Sequence, residues 1–454
     1  MKTFYNLKNY YLLILILINF CSFGQCWRSI SAGQNKTYAI QNDGTLWAWG
    51  YNDGGTLGDG TSFNRYEPVK ISSDTNWKNT STGYSHTLAL KNDGTLWGCG
   101  SNSNGQLGNL SLSNQSTLVQ LNTDNWKFIS AGFGYSLGIK SNGTLWAWGS
   151  NDSGQFGNGN TLSSNVPTQI GTGLWKSVFA SFRCSIGIKE DGTIWSWGTN
   201  LYGQLGYGNL SSSYSPVQIG FDTNWKTVLM SQAHTLALKT DGTLWAWGRN
   251  FSGSLGDGTF IDRLAPVQIG TQTWDSITAC LQESSIAIRS DKTLWSWGYN
   301  GYGELGLPAG VNYNAPIQVG SNSDWVDVVA GNNHTIVISE SQNIFSCGYN
   351  LYGQLGDGTN INKSSLTQIN CSSLSNNDLE INSLNFNLSP NPASEKINFN
   401  SETKSVTVFD INGRLIKYSN ILSKEFDVSE LNPGLYILRV ETEIGIFNKK
   451  LIRK

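Results

Sequence analysis

His86, His234 and His334 are the only imidazoles in a chain of 454 residues. Three of them could hold a metal ion or move protons near neutral pH. Their placement argues against both roles. They sit in register on the second, fifth and seventh copies of a repeat of about fifty residues. Lys36, Tyr135, Cys184 and Ser284 hold the same position in the other copies. Ligands must converge on one ion, whereas copies of a repeat are spread through whatever they build. The expected role is structural, at the flank of a turn.

Other reactive types give the same reading. Asp43, Asp93, Asp191, Asp241 and Asp291 each open a turn, and none belongs to an Asp-x-Asp-x-Asp calcium loop. No pair of acids stands out from this background as a general acid and base. The Gly-rich segments lack the Lys-Ser/Thr of a phosphate loop. Cys99, Cys184, Cys280 and Cys347 fall on repeat positions and read as small buried apolar residues, without Cys-x-x-Cys spacing. No metal, no cofactor and no catalytic residue is expected. Cys26 and Cys371 differ, because they bracket the repeats.

The elements that position these residues are written seven times. Asp43-Gly-Thr-Leu-Trp-Ala-Trp-Gly50 recurs through Asp241-Gly-Thr-Leu-Trp-Ala-Trp-Gly248 to the decayed Gln342-Asn-Ile-Phe-Ser-Cys-Gly348. Each unit opens with a Trp strand such as Trp126-Lys-Phe-Ile-Ser-Ala-Gly132. A tight turn leads to a short apolar strand such as Thr87-Leu-Ala-Leu90. An Asp-Gly turn then signals a hairpin into the Leu-Trp-Ala-Trp strand. An Asn-x-x-Gly-Gln-Leu-Gly loop follows, as at Asn102–Gly108, and a Pro-led strand such as Ala265-Pro-Val-Gln-Ile269 ends the unit. Four short strands in such a unit make a propeller blade, so the chain is expected to be all-β, a seven-bladed propeller. All 18 Trp fall in three repeat columns and are expected to fill the space between blades rather than to bind glycans.

This series of spaced motifs resembles the regulator of chromosome condensation repeat over about residues 27–370. The resemblance implies a seven-bladed propeller. The best-known family activity, nucleotide exchange on a nuclear GTPase, is not carried over, because the chain carries export signals. Secreted bacterial propellers of this type that cap a β-lactamase with one loop face imply a binding class.

Residues 1–25 read as a signal peptide. Lys2 and Lys8 precede a short apolar run, and Ser22-Phe-Gly24 is a small-x-small pattern. A lipoprotein would need a small residue before the acceptor Cys, but Phe20 precedes Cys21 and Gln25 precedes Cys26. The propeller is assigned to 26–371 and a Ser/Asn-rich linker to 372–383. Residues 384–454 alternate as a small β-sandwich, with an Asn412-Gly413 hairpin turn. The series Ser-Pro-Asn-Pro-Ala393, Asp410-Ile-Asn-Gly-Arg-Leu415, Leu431-Asn-Pro-Gly-Leu-Tyr436 and Lys449-Lys-Leu-Ile-Arg-Lys454 resembles the type A sorting domain of the type IX secretion system. That resemblance implies a Bacteroidetes-type bacterium, contact with the secretion machinery, export across the outer membrane and removal of the domain on arrival. An ordinary fibronectin-like module is the alternative.

Net charge is −2 with charged residues at 14%, so nucleic acid, which demands a basic patch, is excluded as a partner. The expected function is non-catalytic binding of an extracellular protein or glycan by a monomer, secreted or displayed on the outer-membrane surface. An enzyme using the central channel and an adhesin or matrix protein are the alternatives. Structural columns repeat, whereas a binding face must vary. The turn before the His column differs from unit to unit, which nominates Tyr84, Phe133, Phe182, Arg183, Gln282 and Glu283 as partner-binding residues. Superposing the closing join on Ile170-Gly-Thr-Gly-Leu-Trp175 puts Cys26 and Cys371 about two positions apart. That is roughly 5–7 Å between Cα atoms, so a disulfide locking the ring is expected.

Overall fold

The computed structural model describes residues 27–369, 387–410, 415–442 and 445–454. The signal peptide, the linker, the Asn412-Gly413 turn, Cys26 and Cys371 lie outside the described residues. The chain divides into two compact units, Met1–Cys371 and Ser372–Lys454.

The first unit is a ring of antiparallel sheets. The first copy folds as Trp27–Gly33, Lys36–Gln41, Leu46–Gly50 and Arg65–Ser72, hydrogen-bonded in chain order. Five sheets have four strands each. A seven-stranded sheet spans the third and fourth copies, because Ser164–Ala180 ends one and opens the next. That makes seven four-stranded blades. The opening strand of each blade touches that of the next, and the seventh touches the first. The Trp strand is therefore innermost and the Pro-led strand outermost.

The apolar core is divided among the seams. Seven clusters each join two neighbouring blades, as where Tyr38, Ile40 and Leu46 of the first meet Trp77 and Ala89 of the second. The seven opening Trp are all 3% exposed or less, and the five that precede the closing Gly are fully buried. Each indole buries roughly 150–250 Å², about 4–6 kcal/mol of gross transfer energy at ~25 cal/mol/Å². These two Trp columns are core, as expected, whereas five of the six Trp in the middle column are half-buried.

Polar groups latch the same seams. In all seven blades a second-strand hydroxyl donates to a loop carbonyl of the preceding blade at 2.7–3.0 Å. Examples are Ser136 to Gln106 and Thr235 to Gln204. The indole N–H before the closing Gly donates to the same carbonyl in five blades, as Trp148 does at 2.9 Å. Cys99 and Cys347 replace it with thiols at 3.5 and 3.6 Å. The closing Gly is needed at this crowded point. A Cβ on Gly50 would stand 2.5 Å from the Asn35 carbonyl oxygen and 3.2 Å from Gln354 Cα, and φ is 102°. Lys292 holds the left-handed turn that glycine fills in five other blades, with φ 66°.

Among its described residues the second unit forms one five-stranded antiparallel sheet, and a separate second sheet is not seen there. The strand Lys396–Asp410 runs through its centre and shifts register between Asn398 and Thr403. Such an irregularity bends a strand. Ile397 and Phe399 before the shift and Val406 and Val408 after it bury into one cluster with Leu438, Val440 and Leu451. One bent sheet therefore encloses the core that two were expected to share.

Candidate functional site: one rim of the ring

Strands alternate in direction, so the turn between first and second strands and the Gly-rich loop between third and fourth emerge on the same rim. Backbone bonds tie them together, as from Tyr51 N to Asn35 O at 2.8 Å and from Ser150 N to Gly134 O at 2.9 Å. The Asp-Gly turns and the links between blades occupy the opposite rim.

The loop rim carries an aromatic strip built from three successive blades. Tyr84 meets Phe133 with ring centroids 4.7 Å apart, and Phe133 meets Phe182 at 4.4 Å. The Arg183 guanidinium lies over Phe182 at 5.6 Å. Backbone bonds fix the spacing, from Tyr84 N to Gly132 O at 3.2 Å and from Phe133 N to Ser181 O at 3.1 Å. Tyr84 and Arg183 are exposed, and Phe133 and Phe182 are half-buried. Beneath the strip, the fully buried Lys36 donates to Gly83 O at 2.8 Å and Tyr84 O at 3.2 Å. Burial pulls its ammonium down to about 7.

Four of the six nominated residues thus form one surface. Gln282 and Glu283 lie across the ring on the sixth blade. Glu283 is left-handed with φ 65°. Its carboxylate accepts from Arg249 at 2.9 Å and from the Ser252 hydroxyl at 2.8 Å. It is therefore engaged in fixing a loop. Sequence reasoning missed a second run of rings on the same rim. Tyr302, Tyr349, Tyr352 and Tyr51 make successive contacts at 4.9, 6.1 and 4.9 Å. A signal existed, because the residue after the closing Gly also varies: Tyr51, Ser101, Ser150, Thr199, Arg249, Tyr299, Tyr349.

The histidines are seam latches. His86 Nε2 is 2.9 Å from Ser136 Oγ, His234 Nε2 is 2.9 Å from Ser285 Oγ and His334 Nε2 is 3.2 Å from Thr37 Oγ1. Each hydroxyl already donates to a carbonyl, so each imidazole donates from Nε2, and its burial keeps it neutral. Burial depresses all three to about 3. Three different seams hold them, so they do not converge on an ion. Among the described residues, no group of three His, Cys, Asp or Glu is placed to hold a metal. Cys99, Cys184, Cys280 and Cys347 are free and buried, and burial pushes Cys99 up to about 11 and Cys184 to about 12.

Ring, latches and repeat agree with the sequence comparisons. Residues 17–272 match the RCC1-like domain, and residues 291–338 and 325–354 match the regulator of chromosome condensation (RCC1) repeat. The chain belongs to the RCC1-like domain family. Residues 387–454 match the secretion system C-terminal sorting domain, which marks the chain for export and for contact with the secretion machinery. No curated protein matches the chain. Human WBSCR16 is a similar solved structure, with TM-score 0.65 and 20% identity over 72% of this chain and 93% of that one. Prp20p from Saccharomyces cerevisiae gives TM-score 0.66 and 18% identity over 86% and 92%. Yeast RCC1 (Prp20) bound to Kap60 gives 0.64 and 17% over 81% and 90%. No helix among the described residues is long and apolar enough to cross a membrane.

Proposed function

We propose that the propeller is a non-catalytic binding module, exported by a type IX secretion system and presented at or beyond the outer membrane. The Tyr84–Phe133–Phe182–Arg183 strip is its contact surface. The observation that carries this is the strip itself: three rings from three blades meet on the rim where the repeat varies. Aromatic residues and Arg are the types that dominate binding energy at interfaces. The similar yeast structures are described with protein partners, Kap60 in one and Gsp1p and histones in the other. That supports a binding use of the scaffold and transfers no partner.

In the same reading, residues 1–25 are removed as a signal peptide in a Bacteroidetes-type host. The sorting domain is removed on arrival, a Cys26–Cys371 disulfide closes the ring, and the product is a monomer that binds an extracellular protein or glycan. The test is a binding screen of the secreted protein against extracellular proteins and glycans. Any ligand found is then titrated into the Phe133→Ala/Arg183→Ala variant. Loss of roughly 2 kcal/mol or more, the size of a hot-spot truncation, supports the surface. Unchanged affinity removes it.

A further inference from the structure

The repeats serve as internal controls for one another on the opposite rim. The last residue of the second strand is a cation in five blades. Lys91, Lys140, Lys189 and Lys239 hold Nζ 3.5–4.2 Å from the centroids of Trp97, Trp146, Trp195 and Trp245. In the sixth blade Arg289 lies 4.9 Å from the Trp295 centroid. Three of these cations are closed by an Asp from the link before the opening Trp. The pairs are Lys91–Asp74 at 2.7 Å, Lys140–Asp124 at 2.9 Å and Lys239–Asp222 at 2.8 Å. Arg289 lacks that partner, as Lys189 does with its link Gly171-Thr-Gly-Leu174; the link before Trp274 reads Gly270-Thr-Gln-Thr273 and offers Gln272 instead. Its nearest paired carboxylate is Asp291 at 3.9 Å, beyond hydrogen-bond reach.

An open cleft takes the place of the missing pair. It has a volume of about 380 Å³ and is lined by Arg289, Gln272, Gln268, Trp274, Asp257 and Pro316, among others. The equivalent cleft one blade earlier, where Asp222 meets Lys239, measures about 280 Å³. Gln272 is exposed and folds over Gly270, where a Cβ would meet its Oε1 at 2.5 Å. The Trp274 indole N–H is buried and unpartnered. In the third blade the same N–H donates to Asn122 Oδ1 at 2.9 Å, so an oxygen acceptor fits there. Four other blades leave this N–H open as well, so what distinguishes the sixth blade from the fifth is Arg289 and the wider cleft. Asp257 does not cancel Arg289. Burial opposes its charge, but hydrogen bonds from Thr259 and Arg263 hold its carboxyl below the usual range, and Arg263 pairs with it at 2.7 Å.

We propose that this cleft binds a hexuronate, with the sugar carboxylate on Arg289 in the position that Asp fills in the sibling blades. A guanidinium takes a carboxylate in a two-bond fork. The Gln272 and Gln268 amides are the polar groups for ring hydroxyls, Asp257 being taken up by Asn250, Thr259 and Arg263, and Pro316 and Trp295 supply apolar wall. At about 380 Å³ the cleft holds far more than a carboxylate, which leaves room for a ring behind it.

The test is calorimetric titration of the intact chain with glucuronate, glucose and N-acetyl-aspartate amide. Glucuronate alone is expected to bind. The Gln272→Asp variant rebuilds the sibling ion pair without disturbing the fold and should weaken binding roughly tenfold or more, as should Arg289→Gln. Failure to bind glucuronate, equal binding of glucose, equal or tighter binding of the aspartate amide, or indifference to Gln272→Asp would each overturn the proposal. Loss of the loop-rim strip leaves this outcome untouched, because the strip spans the second to fourth blades and the cleft lies between the fifth and sixth.

Discussion

His334 of the seventh blade lies 3.2 Å from the hydroxyl of Thr37 in the first, and that hydroxyl donates to Gln354 O at 3.0 Å. Residues about three hundred positions apart thus make the latch that neighbouring blades make elsewhere. Among the described residues each sheet is drawn from one copy of the repeat or from two consecutive copies, with no first-to-seventh strand pairing. Side chains and backbone bonds such as Asn332 N to Gln34 O at 2.7 Å close it instead. Thr37→Val should cost about 1–3 kcal/mol, since it removes the acceptor for a buried imidazole and a donor to a buried carbonyl. Thr87→Val, at an interior seam without a histidine partner, should cost less. Denaturant midpoints of the two variants give the comparison.

Stability should fall in acid. His86, His234 and His334 have folded values near 3 against 6.5 for a free imidazole. A depressed pKa contributes stability that is present above the unfolded value and is lost as pH falls towards the folded one. At pH 5 each histidine accounts for about 2 kcal/mol. Replacing His234 by Gln should flatten the fall between pH 6.5 and 4, read from melting temperatures across that range. An unchanged slope contradicts the neutral-latch assignment.

Glu304 titrates the other way. It replaces the Gln of the Gly-Gln-Leu-Gly loop, is fully buried, and is pushed up to about 7 by that burial. Its Oε2 accepts from Tyr302 N at 2.8 Å, while Oε1 and Asn333 Oδ1 are both unpartnered. At the equivalent seam Gln354 Nε2 donates to Asn35 Oδ1 at 3.4 Å. A raised carboxyl pKa gives stability that is complete below about 4.5 and lost as pH rises through 7. Glu304→Gln should therefore stabilise by about 2–3 kcal/mol at pH 8 and by little at pH 5. Equal effects at both pH values would contradict this.

Cys26 and Cys371 should be joined in the exported protein. Ile369 ends the last described strand of the seventh blade and Trp27 opens the first. A disulfide there closes a loop around the whole ring, worth about 4–5 kcal/mol in the chain-entropy view. Non-reducing peptide mapping reads the pair directly. Free thiols at both positions, or lipid on Cys26, refute it.

The ring was legible because its determinants are local and recur: Asp-Gly turns, Trp columns and loop glycines each repeat in register. Tyr84, Phe133, Phe182 and Arg183 were legible as departures from that register. Gln282 and Glu283 depart equally, yet Arg249 takes up Glu283, and a partner on another turn is invisible in a column of letters. The tyrosines at 51, 302, 349 and 352 were missed because two loops separate in sequence share a rim only once strand direction is followed. The bend in Lys396–Asp410 was missed because alternation is the same in a flat and a folded sheet.

The most direct measurement is site-specific photo-crosslinking on the exported protein in its native surroundings. A photoreactive residue replaces Phe133 on the loop rim, and in a second sample Phe221, which is 94% exposed on the opposite rim. The expected result is a discrete adduct from position 133 that is absent from position 221. That adduct should disappear when Phe182 and Arg183 are changed to Ala. No adduct from position 133, or one that persists without Phe182 and Arg183, would contradict a binding propeller that works through this face.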